Sequence, residues 1–375
     1  MSSLTRGREE RGGLQALARD WGVPCRVWPF ARGDNVLLSV AAGRPHDMKR
    51  CEVLVSRDGS SWEVAGEFFT GDHRQSTTGQ PFLTSMGTIL VPVWDVDFYT
   101  HGRTYFSIQR RGAAESRFEK VYEDTDGTYA NHFLETEGGA EVFIGVGVKG
   151  GGAEGKVRFT PGSGYILRSK DDGRTFEEVL RYDKPCSLYQ GVQTRNGGVF
   201  WSTRGQKSLI DLERGTEVAV GDATRCLAFV EALDTFVMTS NSAIFLSSDA
   251  ADWRKVPFPL PGYALRYPTM VGGRLLFTAV GWRSLLVAYE GGRWFLVNEL
   301  SGATRSTFAR MARFKDVVLC GSEFDGKLLK FSAVDLAGMG RRIGRLSGLV
   351  DKVASRVNRS ITRRSRMLLQ PETTG

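Results

Sequence analysis

The sequence predicts an all-β fold made by repetition, and three observations carry that prediction. Seven pairs of short β-rich runs recur at a mean step of about 46 residues, a repeat length to be sought before single motifs. Glycine is heavy, 45 in 375 residues, without a collagen period and with only 12 prolines, as many short turns require. No 3.6-residue apolar period runs through 30–330. A unit of this length holds four antiparallel strands, and radial repetition of such units makes a β-propeller. The runs count to seven blades over 24–335, with six as the alternative.

The elements follow in order. Residues 1–23 form an N-terminal segment, partly helical at 10–20 or disordered. The first runs of the units are 36–41, 88–93, 141–146, 198–203, 235–240, 274–279 and 316–321. The second runs are 51–56, 103–108, 165–169, 207–212, 243–248, 284–289 and 328–333. Unit seven lacks an evident final strand, and residues 14–30 could supply it and close the ring. Residues 336–375 are a separate tail with nine Lys/Arg against Asp351 and Glu372. Most of the net charge of +8 therefore belongs to the tail, and the body is no generic polyanion binder. In the tail Ile343, Leu346, Val350, Val353, Val357 and Ile361 step by three and four, which predicts a basic amphipathic helix over 340–368. Such a helix suits an anionic membrane surface or a protein partner, or it packs on the propeller flank. With little aromatic interleaving, no nucleic acid is expected.

Three turns after second runs carry a sharper signature. Ser169-Lys170-Asp171-Asp172-Gly173-Arg174-Thr175-Phe176 reads S-x-D-x-G-x-T-[WF]. Ser56-Arg57-Asp58-Gly59-Ser60-Ser61-Trp62 and Ser247-Ser248-Asp249-Ala250-Ala251-Asp252-Trp253 are one residue shorter. Asp and Ser side chains bond nearby backbone N–H groups, glycine takes positive φ, and the aromatic packs back on the hairpin. The pattern resembles the Asp-box, or BNR repeat, of the sialidase-like propellers. Asp58, Asp171 and Asp249 are read as turn locks and not as catalytic carboxylates.

If the strands of a blade are named a to d from the axis outward, these turns join c to d. A ligand site is then expected on the opposite face, where b–c and d–a loops converge on a funnel. Those loops are expected to hold Arg204, Arg283 and Glu323, then His132, Tyr189, Arg266, Tyr267 and Arg305. Several arginines round one mouth suit an anionic ligand, because the guanidinium fork pairs carboxylates bidentately.

The resemblance extends to the first blade. In sialidases a first-blade strand ends in an arginine that grips the sialate carboxylate, followed by an acid/base aspartate and a strand into the box. Arg44 and Asp47 match that order and spacing. The resemblance implies a tyrosine nucleophile activated by a glutamate, for which Tyr267 and Glu323 are the candidates. Arg44, Arg204, Arg266, Arg283 and Arg305 would then hold the ligand. The segment that begins those propellers as Arg-Ile-Pro reads here Cys25-Arg26-Val27-Trp28-Pro29, one residue longer.

Other chemistry is set aside. Gly150–Lys156 has GxxxxGK spacing, but Val157 replaces the Ser/Thr that would hold magnesium and no helix pattern follows. Five scattered cysteines and four histidines offer no disulfide framework or metal spacing, so no cofactor or metal is expected. No apolar run reaches a membrane span and no secretory leader is read, which points to a cytoplasmic protein, peripheral at a membrane if the tail binds one. The function read here is recognition of a glycan or another anionic ligand on the funnel face, with glycoside hydrolysis of the exo-sialidase type within its scope. The rival is a non-catalytic scaffold for protein or membrane-associated assembly.

Overall fold

A computed structural model of the chain describes residues 15–20, 25–44, 47–68, 75–97, 103–125, 127–149, 161–184, 187–204, 206–222, 224–301, 308–323 and 326–343. They form seven antiparallel sheets, the blades of a propeller, which rules out the six-bladed alternative. Blade one runs Cys25–Arg32, Asn35–Arg44, Asp47–Ser56 and Glu63–Phe68 from the axis outward. The middle strands bury apolar residues on both faces, as Arg274–Val280 and Ser284–Glu290 do, because every blade packs between two neighbours, while the outer strands are largely exposed. Among the described residues eight hydrophobic clusters fill the ring, the largest including Val237, Phe258, Phe277, Val287 and Trp294 of blades five and six.

Closure departs from the expected N-terminal helix. Gln15–Asp20 is a strand, paired antiparallel with Lys327–Ser332 as the outer strand of blade seven. The third strand of that blade would otherwise present an open edge, and tertiary pairing overrides helix propensity. The fourth strand of the last blade thus comes from the N-terminal side of the chain, within the 14–30 region.

The C-terminal side differs as well. Among the described residues the only α-helix is Ala333–Gly338, capped by Ser332 Oγ accepting from Asp335 N. Arg274, nearly buried, donates through Nη1 to the carbonyls of Leu336 (3.2 Å) and Ala337 (3.3 Å), placing a cation at the helix C-terminus. The chain then crosses to blade six, where Arg341–Arg342 adds a fifth strand along Arg293–Ser301. Ile343, expected on a helical face, instead packs into the core of blade six. The rest of the expected 340–368 helix lies outside the described residues. No helix among the described residues is long and apolar enough to cross a membrane.

The three Ser-x-Asp turns join third to outer strands in blades one, three and five and fold alike. In the turn after Ser169, that hydroxyl donates to Asp171 Oδ1 (2.8 Å) and accepts from Gly173 N (2.8 Å). Asp171 Oδ1 accepts from the backbone of Arg174 and Thr175, and Oδ2 from Thr175 Oγ1 at 2.6 Å. Asp58 repeats the set with Ser60, Ser61 and Ser56. Asp249 keeps the bonds from Ser247 Oγ and from the backbone of Ala251 and Asp252. There the hydroxyl that would reach Oδ2 is replaced by the Asp252 carboxylate. Trp62, Phe176 and Trp253 fold back against the cores of their blades.

Candidate functional site

The innermost strands line the axis, and several break register at one level. Pairing slips between Ala130 and Phe133 in blade three, Leu188 and Gly191 in blade four, Arg266 and Thr269 in blade six, and Phe308 and Arg310 in blade seven. In blade two the inner strand stops at Thr78 and resumes at Phe82. A bulge re-aims the side chains it releases. At these breaks stand Gln80, His132, Tyr189, Tyr267 and Arg310. Tyr267 has φ +48°, a conformation that costs an aromatic residue about 1–3 kcal/mol and tends to persist at functional sites. Pro268 follows it, without the N–H a regular ladder would need at that position.

These residues meet on the axis. The Arg310 guanidinium, 1% exposed as a residue, lies 4.0 Å from the Trp28 ring centroid and 4.6 Å from that of Tyr267. Its Nη1 donates to Gln80 Oε1 at 2.6 Å, and Gln80 Nε2 donates to Pro29 O at 2.8 Å. Arg26 stacks on Trp28 at 4.5 Å. The hydroxyls of Tyr189 and Tyr267 bond each other, with Cys226 packed against both rings. Toward the funnel mouth, Arg266 Nη1 pairs with Glu323 Oε1 at 3.4 Å, both side chains about one-fifth exposed. The Nε of Arg266 is buried and has no hydrogen-bond partner among the described residues. Arg26 and Arg266 thus both feel the Glu323 carboxylate, with the Arg310 guanidinium close to Arg26.

The field of this cluster shifts the pKa values of its members. Burial lowers the Arg26 pKa and Arg310 adds to the lowering, while Glu323 opposes it. Burial also works against the Arg266 charge, but Glu323 and the tyrosines outweigh it and the net shift is upward. His132 is pushed down to about 3 by burial and by Arg310, so its imidazole is neutral. Burial drives the Tyr267 hydroxyl well above its ordinary value, which keeps its proton on.

The candidates named from sequence divide. Arg266, Tyr267 and Glu323 reach the axis, but Arg266 and Tyr267 stand on an inner strand and not in a d–a loop, as do His132 and Tyr189. Glu323 follows the second strand of blade seven, and its hydrogen bond goes to Arg266 while Tyr267 bonds Tyr189. Arg283 lies at the turn between the second and third strands of blade six, where Glu299 (2.7 Å) and the Tyr263 hydroxyl (3.2 Å) already hold it. Arg44 and Asp47 are register partners closing the hairpin between the second and third strands of blade one. Arg204 ends the second strand of blade four. The side chains of Arg44, Asp47 and Arg204 lie outside the described residues, as do Arg305 and the Gly150–Lys156 loop. Arg26, Arg310 and Gln80 were not singled out as site residues. Their signal was a charged or amide group inside a β-rich run, with Trp28 two residues beyond Arg26.

No family model matches the chain, and no curated protein matches it. Solved structures do. Sqt1 of Saccharomyces cerevisiae is similar with a TM-score of 0.54 at 10% identity, over 87% of this chain and 86% of that one. The acylaminoacyl peptidase of Pyrococcus horikoshii gives 0.52 at 10% identity, over 88% of this chain but 53% of the peptidase. The β-propeller domain of the Trilobed protease from Pyrococcus furiosus gives 0.52 at 9% identity, over 88% and 98%. At such identities the likeness concerns the fold alone.

Proposed function

We propose that the chain is a sialidase-like propeller that recognises an anionic small ligand, an acidic sugar among the candidates, at the funnel end of its axis. The observation that carries this reading is the convergence of the Arg26, Arg266 and Arg310 guanidinium groups at the axis, with Arg266 paired to Glu323 toward the funnel. An incoming carboxylate would replace Glu323 on Arg266, whose Nε is left over for a second bond. Arg310, fixed between aromatic rings, adds field from beneath without moving. The three Ser-x-Asp turns support the same kinship.

Binding is favoured over hydrolysis. A tyrosine nucleophile needs a base that takes its proton, whereas Tyr267 bonds another tyrosine and is held protonated. Calorimetric titration with sialate tests the reading. Arg266→Met should weaken binding by roughly 10- to 100-fold, the loss of one charge-assisted pair of about 1.5–3 kcal/mol. An aryl sialoside should not turn over. Absence of sialate binding, or binding indifferent to Arg266→Met, would leave the scaffold reading; turnover would restore the hydrolase.

A further inference from the structure

We propose that the basic segment 344–368 docks in the cleft at the other end of the axis of its own ring, on the face that carries the Ser-x-Asp turns. That cleft encloses about 1000 Å³ between the ends of the inner strands of blades one to five. Leu134, Val192 and Phe229 form an apolar patch in a lining that is otherwise mostly polar. Its rim is acidic. Arg32 is answered by Glu135, and Arg195 by Asp234 at 3.3 Å. Glu137 and Glu231 are exposed and have no ion-pair partner among the described residues. The cleft therefore combines an apolar patch with two carboxylates that have no ion-pair partner among the described residues.

The chain leaves the described ring in the right direction. Arg341–Arg342 runs antiparallel to the outer strand of blade six, and Ile343 N donates to Trp294 O at 2.9 Å. Beyond Trp294 that outer strand begins at the Gly291–Gly292 turn, between third and outer strands, so the chain at Ile343 heads for the face that bears the cleft. From there the inner strands are four strand spacings away, about 19 Å at ~4.8 Å each. The segment 344–368 would cover about 37 Å as a helix at ~1.5 Å per residue. It carries Arg345, Lys352, Arg356, Arg359, Arg363, Arg364 and Arg366 against Asp351, with Leu346, Val350, Val353, Val357 and Ile361 in helical spacing. An apolar stripe edged with cations is the complement of an apolar patch flanked by carboxylates.

Limited trypsin digestion of the full chain at low salt reads this directly, with tail peptides followed by mass spectrometry. Glu137→Gln combined with Glu231→Gln adds no trypsin site and changes only exposed side chains; an unchanged melting temperature confirms the ring. Release of the tail should be about tenfold slower in the wild type than in this double variant, and 0.5 M salt, where the Debye length is only about 4 Å, should close the gap. Equal rates in the two proteins would overturn the proposal. So would protection that grows with protein concentration, which means a second copy, or protection that arises only on anionic vesicles, which means a membrane.

Discussion

Replacing Asp171 with alanine isolates what an octet turn contributes. The carboxylate accepts from two backbone N–H groups, from Thr175 Oγ1 and from Ser169 Oγ. The groups at Arg174 and Thr175 face solvent and water can replace the lost acceptor. Ser169 is 2% exposed, and its hydroxyl proton loses its acceptor in a site closed to water. The cost should sit near 2 kcal/mol, within the ~1–3 kcal/mol range for an unpaired buried group. With an unfolding entropy of about 2.1 cal/mol/K per residue, a chain of 375 residues should lose only about 2–3 °C in Tm. Scanning calorimetry, with urea denaturation as a cross-check, measures it. Anion binding at the funnel should be unchanged, since the turn lies on the opposite face. Lost binding at an unaltered Tm would refute the turn-lock reasoning.

Three further outcomes follow from the same structure. Asp252→Ser restores the hydroxyl that Ser61 and Thr175 supply in the other turns and removes a neighbouring like charge, so it should stabilise by about 0.5–1.5 kcal/mol, one net hydrogen bond, in urea denaturation. Gly191→Ala places a methyl against the Trp201 ring, itself fully buried, and should cost about 1–3 kcal/mol by overpacking, read as a lower urea midpoint at constant slope. Acid should weaken the ring through its turns. Backbone N–H groups of Ser61 and Ser60 hold Asp58 low, those of Asp252 and Ala251 hold Asp249 low, and in Asp171 the bonds from Thr175, Ser169 and Arg174 outweigh burial. A carboxylate depressed in the folded state contributes stability that is fully present above its unfolded pKa of about 4 and is lost as pH falls through the folded value. Tm should therefore drop below about pH 4, and Asp171→Asn should flatten that drop.

The ring was legible in the chain because its cause is local and repeated. Each unit repeats a pair of short β-rich runs, and three of the seven add a turn whose Ser and Asp have a fixed task, so Ser169–Phe176 announces its own geometry. Closure was half legible: blade seven visibly lacked a strand, but Gln15–Asp20 has no strand signature apart from the edge it meets. The site was harder. That Arg266, Tyr267 and Glu323 come near the axis followed from pattern, while Arg310 looked like any charge in a run. Its role depends on Trp28 and Gln80, 282 and 230 positions away in the sequence, and on register slips that no single unit reveals. The tail reading failed at Ile343 for a related reason. A residue in helical step was taken up by the apolar core of blade six.

The most direct test of an anion site on the axis is a crystal of the full chain soaked in selenate, with the anion located by the anomalous signal of selenium. The account predicts a peak within hydrogen-bond distance of Arg266, on the funnel side of Arg310, with the Glu323 carboxylate displaced from its present contact. Anomalous peaks confined to exposed arginines of the rim, with Arg266 and Glu323 still paired, would contradict it.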